Sequence, residues 1–199
     1  VLVKDKKPVS VILHPDSEAG RQAAAAIAAA VREQTGCRLP ARPGTPADSQ
    51  PDQTAILIGN VNTNPALTLL YARFFTPADA ICPGAGGSIV QTVFDPFGKK
   101  VNAVVVGASD DAGLASAAAR FNVEIRKQKK GKSLALPRIF AADYSAAFKA
   151  RFRVAGEAPA ADRLEAGLRE GKKALDEGRH TSIAGELARV ARRYQLLGE

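Results

Sequence analysis

An alanine-rich segment with an abrupt end constrains the fold of this chain more than any other feature. Residues 17–35 carry small and apolar side chains at helical spacing, and the short apolar run 9–13 precedes them, which is the pattern of a strand leading into a helix. Gly36 stands where a left-handed residue would end that helix, Leu39 can fold back as an apolar contact, and Pro40 blocks any continuation. We therefore expect a helix that packs closely on a sheet through its alanines.

The same alternation of short strands and helices continues along the chain. An N-cap residue, Ser109, and the acidic residues after it predict another helix, which ends at the basic run 127–131. Residues 134–137 are interpreted as a last strand or an extended tail. Two of the other strands are expected to form a hairpin with a four- or five-residue loop around 95–98. The remaining predicted elements are strands at 54–59, 88–94 and 100–106 and a short helix at 65–75.

Two amphipathic segments near the C-terminus, 160–177 and 181–197, predict a helical hairpin. The whole pattern predicts an α/β (α+β) fold: a small mixed β-sheet with helices packed on one side, followed by this hairpin. We expect the α/β domain over residues 1–145, and a basic linker with the hairpin over 146–199. A first residue other than methionine, Val1, indicates a trimmed chain or a mature piece of a precursor. No apolar run is long enough for a membrane span.

The net charge of +8 comes from one segment rather than from the whole chain. Residues 120–153 contain ten lysines and arginines against two acids. Part of this surplus lies where cations stabilise a helix C-terminus, so we favour a solvated helix end. The alternative is a site for an acidic polymer, either a glycan or a nucleic acid; aromatic residues are few, which makes nucleic acid the less expected partner. The candidate binding residues are Arg126, Lys127, Lys129, Lys130 and Lys132.

No motif identifies a catalytic residue, a metal site or a cofactor. His14 and His180 stand far apart and outside any metal-ligand spacing, so each is expected on the surface or in a turn. Cys37 and Cys82 either form one bridge or remain as two buried thiols. A small glycoside hydrolase, with two catalytic carboxylates remote from each other in the chain, stays open as an alternative.

Two glycine-bearing segments invite a phosphate- or nucleotide-binding hypothesis. Residues 84–88 open a strand rather than a helix, which favours a flexible connection. Residues 107–113 do lead from a strand into a helix, but Asp110 and Asp111 would place negative charge where a pyrophosphate must sit. We expect these aspartates to stabilise the first helical turn instead.

The order of these segments resembles a known family. The residues that carry the resemblance are the alanine run 23–31 followed by TGCRLP at 35–40, then ILIG at 56–59 and VVVGASDDAG at 104–113. Over residues 9–125 the chain resembles the non-catalytic α/β domain that precedes the catalytic barrel in β-N-acetylhexosaminidases and α-glucuronidases, a domain 2-like unit of glycoside hydrolase family 20.

This resemblance implies an accessory, non-catalytic role in an extracytoplasmic carbohydrate-active protein, either periplasmic or secreted. The implied partner is a catalytic domain of the same longer polypeptide, and a polysaccharide is a further candidate partner. The implied fold is a small sheet with helices on one side. No cofactor is expected.

Overall fold

The computed structural model describes residues 1–152. The chain divides into two compact units, Val1–Phe148 and Lys149–Glu199, and the features described below concern the first. The helical hairpin predicted at 160–177 and 181–197 lies outside the described residues, as does His180.

Eight strands and four α-helices are present in the described part of the chain. Two short 3-10 helices, Pro46–Ser49 and Pro65–Leu67, lie between them. In chain order the elements are β1 (Val3–Lys4), β2 (Lys7–Pro8), β3 (Ser10–His14), α1 (Glu18–Thr35), β4 (Ala41–Pro43), β5 (Thr54–Ile58), α2 (Thr68–Ala72), β6 (Ser88–Val93), β7 (Ala103–Ala108), α3 (Asp111–Arg126), β8 (Phe140–Asp143) and α4 (Ala146–Phe152).

Six of the strands form one mixed sheet in the order β4-β3-β5-β7-β6-β8. The first four run parallel, and β6 pairs antiparallel with both β7 and β8. β1 and β2 form a separate antiparallel hairpin. This mixed sheet with its helices confirms the predicted α/β (α+β) fold class.

The central strands are apolar on both faces because both faces are covered. α1 and α3 pack on one face, over side chains such as Ile12, Ile56 and Val104. The alternate residues, such as Leu57, pack against the short helical segment around Leu70. Full burial of one such aliphatic side chain contributes about 1.5–3 kcal/mol. The two long helices therefore lie on one side, and a short segment closes the other.

The predicted start and end of α1 are confirmed. Ser17 caps the helix, and its Oγ accepts a hydrogen bond from the Gly20 N–H at 3.1 Å. At the other end Gly36 has φ +73°, and its N–H donates to the Arg32 carbonyl at 2.7 Å. A glycine adopts this left-handed conformation without the steric cost of a Cβ. Leu39 folds back into the core as expected.

The cap of α3 is Asp110, so the prediction of Ser109 as the cap is wrong. The Asp110 carboxylate accepts from the Gly113 N–H at 2.8 Å. Ser109 instead accepts, through Oγ, from the Gly84 N–H at 3.0 Å. Serine and aspartate cap helices by the same chemistry, so residue type alone does not choose between neighbours. Asp111 lies in the first turn, as predicted.

Strand predictions in the second half of the described chain differ from the structure at several ends. β7 begins at Ala103 rather than at residue 100, so the connection from β6 is longer than four or five residues. The last strand is β8, while Leu134 from the predicted stretch 134–137 forms one isolated bridge with Val3.

The N-terminal strands β1 and β2 were not among the predicted elements. They are too short to show a periodic pattern in the sequence.

Candidate functional site

A small crevice lies at the carboxyl ends of β3, β5 and β7. β4 and β5 flank β3 on opposite sides, and this reversal of chain order is where open α/β sheets bind their ligands. The three strand ends and the first turns of α1 and α3 line the crevice. The lining residues include Pro15, Gly59, Asn60, Thr63, Ser109 and Asp110.

Asn60 connects the strand ends that line the crevice through hydrogen bonds. The residue is only 3% exposed, and its Nδ2 donates to the Ala108 carbonyl at 2.7 Å, which links the end of β5 to the end of β7. Its Oδ1 accepts from the N–H groups of Asn62 and Thr63 at 3.0 and 3.2 Å. Both polar atoms of the side chain are engaged within the chain, which indicates a structural role.

The glycine-rich segment 84–87 contacts the start of α3 through its backbone. The Gly86 N–H donates to both oxygens of the Asp110 carboxylate, at 3.1 and 2.9 Å. Glycine-rich N–H groups of this kind bind phosphate when they point at an open space near a helix start. Here a carboxylate of the chain itself occupies that position. The arrangement argues against a phosphate site.

The size and chemistry of the crevice disfavour catalysis. Its volume of about 110 Å³ is well below the range of about 300–1,000 Å³ that is typical of ligand pockets. Asp110 is engaged as a helix cap, and the neighbouring Asp111 is exposed on the first turn. A glycosidase needs a cleft that holds a sugar between two carboxyl groups. The hydrolase alternative gains no support from this crevice.

The histidine and the cysteines in the described residues are buried. His14, expected on the surface or in a turn, is 5% exposed at the end of β3, so that expectation is wrong; its Nδ1 lies 2.7 Å from the Pro15 carbonyl. Cys37 and Cys82 are both free. Burial, with a smaller contribution from Asp79, raises the pKa of the Cys82 thiol from 9.0 to about 12. A protonated thiol is a poor nucleophile and a poor metal ligand. Within residues 1–152 no three His, Cys, Asp or Glu side chains are grouped to hold a metal.

The five basic residues predicted as a binding site fall into two groups. Arg126 pairs with Glu33 at 3.2 Å, and Lys127 pairs with Glu124 at 2.7 Å. Surface pairs of this kind contribute about 0–1 kcal/mol to stability, but they partly neutralise these two cations. The other three residues are exposed in the loop after α3 and have no ionic partner among the described residues: Lys129, Lys130 and Lys132.

The N-terminal hairpin brings further lysines to this loop, which the sequence analysis did not recognise. The Leu134 N–H donates to the Val3 carbonyl at 2.8 Å, and the Lys6 N–H donates to the Lys132 carbonyl at 2.6 Å. The two-residue strands of this hairpin are too short to give a periodic signal in the sequence, and their partner lies far along the chain. The added lysines are Lys4, Lys6 and Lys7.

The outer faces of α1 and α3 leave an open groove of about 570 Å³ between the two helices. Its lining is mostly alanine, and three of these alanines are exposed: Ala26, Ala115 and Ala119. Asn122 also lines the groove and is 7% exposed, and its Oδ1 has no hydrogen-bond partner within the described part of the chain. An unpaired buried amide oxygen is uncommon in folded proteins.

Comparison of the chain with protein-family models and with curated proteins gives no significant match. Within residues 1–152, no helix has both the length and the apolar character that a bilayer crossing requires. The most distinctive surface features of the described residues are the alanine-lined groove and the lysines at the N-terminal hairpin.

Proposed function

We propose that this chain is an accessory, non-catalytic domain of an extracytoplasmic carbohydrate-active protein, and that it supports a catalytic domain of the same longer polypeptide. The resemblance over residues 9–125 supports the proposal, and so does the pair of long helices on one face of the sheet. The observation that carries it is the alanine-lined groove between α1 and α3.

A helix face built from alanines is suited to close packing. Ala26, Ala115 and Ala119 expose methyl groups where a solvated helix usually presents long polar or charged side chains. Such a face lets the backbone of a neighbouring domain approach closely. The exposed alanines, and not the buried Oδ1 of Asn122, are therefore what this face offers a neighbour.

The test uses the longer polypeptide that this proposal requires. Replacing Ala26 and Ala119 with arginine places two long charged side chains over the groove. We expect the melting temperature of the catalytic domain and its turnover of glycosides to fall, because the two domains can no longer pack. Ala47→Arg is the matched control, since Ala47 is exposed in the 3-10 helix Pro46–Ser49. This control should change neither quantity.

The proposal also predicts that the chain alone hydrolyses none of a panel of aryl glycosides. Turnover by the isolated chain that a single Asp or Glu substitution abolishes would establish the hydrolase alternative instead. A reading frame without a glycan-active domain would contradict the accessory role. Equal effects of the groove variant and of Ala47→Arg would show that the groove is not the contact surface.

A further inference from the structure

Six lysines from two distant parts of the sequence lie on adjoining segments of the Val1–Phe148 unit. Three come from the hairpin and three from the loop after α3. All six are exposed, none has an ionic partner in the described part of the chain, and the one acid in the two segments is Asp5. We call this the lysine surface, and it consists of Lys4, Lys6, Lys7, Lys129, Lys130 and Lys132.

Buried residues beneath the lysine surface attach it to the core. Val3 and Leu134 belong to the core, at 0% and 1% exposure, and their backbones are hydrogen-bonded to each other. The Gly131 N–H donates to the Gln34 carbonyl at 3.0 Å, which ties the loop to the end of α1. The loop thus lies beside β1 and the turn of the hairpin, and β2 pairs with β1 on its other side. The lysines are therefore arranged by the fold.

The geometry of the hairpin brings like charges together. Lys4 and Lys7 occupy directly paired positions on β1 and β2, where like charges destabilise an antiparallel ladder. Between them Asp5 and Lys6 have φ values of +50° and +60°, a left-handed conformation that glycine adopts more readily than lysine. Lysine at both kinds of position is unfavourable for folding, which points to a use for the charge itself.

We propose that the lysine surface binds a linear acidic polysaccharide through its carboxylate or sulfate groups. A polyanion neutralises several unpaired lysines at once and releases its own counterions, so binding becomes favourable at moderate salt. This inference does not depend on the accessory role proposed above.

The chemistry of the lysine surface favours a glycan over a nucleic acid. No aromatic side chain belongs to it, so the bases of a single strand would have nothing to stack on. The surface contains no arginine, the residue whose planar fork recognises phosphates by paired hydrogen bonds. It is formed by a short hairpin and a loop, and not by a helix that could enter the major groove of a duplex. A polymer recognised by charge alone fits these features.

The test is isothermal titration calorimetry of the full chain with heparin, which is sulfated, and with polygalacturonate, which is carboxylated. For four lysine contacts, each with a salt slope of about 0.7 as for single-stranded polyanions, the affinity should fall about 50-fold between 50 and 200 mM salt. An affinity that does not change with salt would contradict an electrostatic site.

A pair of glycine substitutions separates the lysine surface from the general charge of the chain. Lys6→Gly removes one charge and places glycine at a position whose backbone is left-handed. Glycine adopts this conformation without a steric cost, so the fold is not weakened. Lys100 is exposed with φ +59° in the connection between β6 and β7, and Lys100→Gly is therefore the matched control. We expect Lys6→Gly to lower the affinity about 8-fold at 50 mM salt and to reduce the salt slope by about 0.7. Lys100→Gly should change neither.

The outcomes distinguish the possible explanations. An equal loss of affinity in the two glycine variants would show that net charge and not the lysine surface is responsible, and would overturn the proposal. Tighter binding of a short DNA duplex than of either polysaccharide, at equal salt, would identify a nucleic acid as the partner instead. None of these measurements involves a catalytic domain, so a negative result here leaves the accessory role to be judged by its own test.

Discussion

Replacing Gly113 with alanine tests how the glycine-rich segment 84–87 fits against α3. Gly113 is the third residue of the helix, and alanine is normally favoured over glycine inside a helix by about 1 kcal/mol. A Cβ at this position would lie closer than 3.0 Å to the Gly87 carbonyl oxygen, a backbone atom that cannot rotate away. We therefore expect the alanine variant to be less stable, against its helix propensity.

The size of the effect follows from the contacts that have to change. Overpacking a well-packed site costs about 1–3 kcal/mol. If the loop moves to make room, the hydrogen bond from the Gly86 N–H to the charged Asp110 is also lost, at a cost of about 1.5–3 kcal/mol. After the helix propensity gain of about 1 kcal/mol is subtracted, the free energy of unfolding should fall by about 1.5–5 kcal/mol.

Urea unfolding followed by far-ultraviolet circular dichroism measures this change, provided that the dependence on urea concentration keeps the same slope. Gly131→Ala is one control, because a Cβ there meets nothing within 4 Å; it should be neutral or more stable by up to about 1 kcal/mol. Ala115→Gly, at an exposed position of α3, should lose about 1 kcal/mol. A Gly113→Ala protein as stable as the parent would refute the close approach of loop and helix.

Three further predictions concern single side chains. Burial raises the pKa of the Cys82 thiol, so the folded protein holds this proton more tightly than the unfolded chain does. The free energy of unfolding therefore keeps its full contribution from the protonated thiol below pH 9.0, and loses it as the pH rises towards about 12. In Cys82→Ala, the free energy of unfolding measured in urea should depend less on pH between 9.0 and about 12. The same pH dependence in the variant as in the parent would argue against the buried thiol. The hydrogen bond from Arg42 holds the pKa of Asp48 well below 3.8, so its contribution is present above pH 3.8 and is lost as the pH falls below that value. Asp48→Asn removes the charge that pairs with Arg42; it should reduce this acid sensitivity in thermal unfolding and cost about 0–1 kcal/mol at neutral pH. Asn60→Ala leaves the buried Ala108 carbonyl without its side-chain donor and should cost about 1–3 kcal/mol, with faster amide exchange in the turn after β5; unchanged exchange would contradict the assigned role.

Local signals made the long helices predictable. Ser17 and Gly36 act within one turn of the residues they cap, so the ends of α1 follow from a few neighbouring positions. The fold class also follows from the alternation of short apolar runs with helical segments. The cap of α3 shows the limit of such signals. Ser109 and Asp110 are both good cap residues, and the choice between them depends on Gly84 and Gly86, more than twenty residues earlier.

The features that sequence analysis missed depend on partners far along the chain. β1 owes its position to Leu134 and not to any pattern of its own. The lysines of the hairpin therefore looked unrelated to the basic run 127–132, although the fold places them beside it. His14, expected on the surface or in a turn because it has no metal-ligand spacing, instead ends a strand whose two faces are both covered. The alanine-lined groove likewise requires the relative placement of two helices.

The two outer strands of the six-stranded sheet, β4 and β8, are poorly suited to pairing with a second copy of the protein. β4 has three residues and ends in Arg42-Pro43, and proline has no N–H to offer a further strand. β8 has four residues and ends at Asp143, which places a charge at its last position. Short, charged or proline-bearing borders resist the strand addition that leads to aggregation. Backbone pairing of a second copy with β4 or β8 should accordingly be disfavoured.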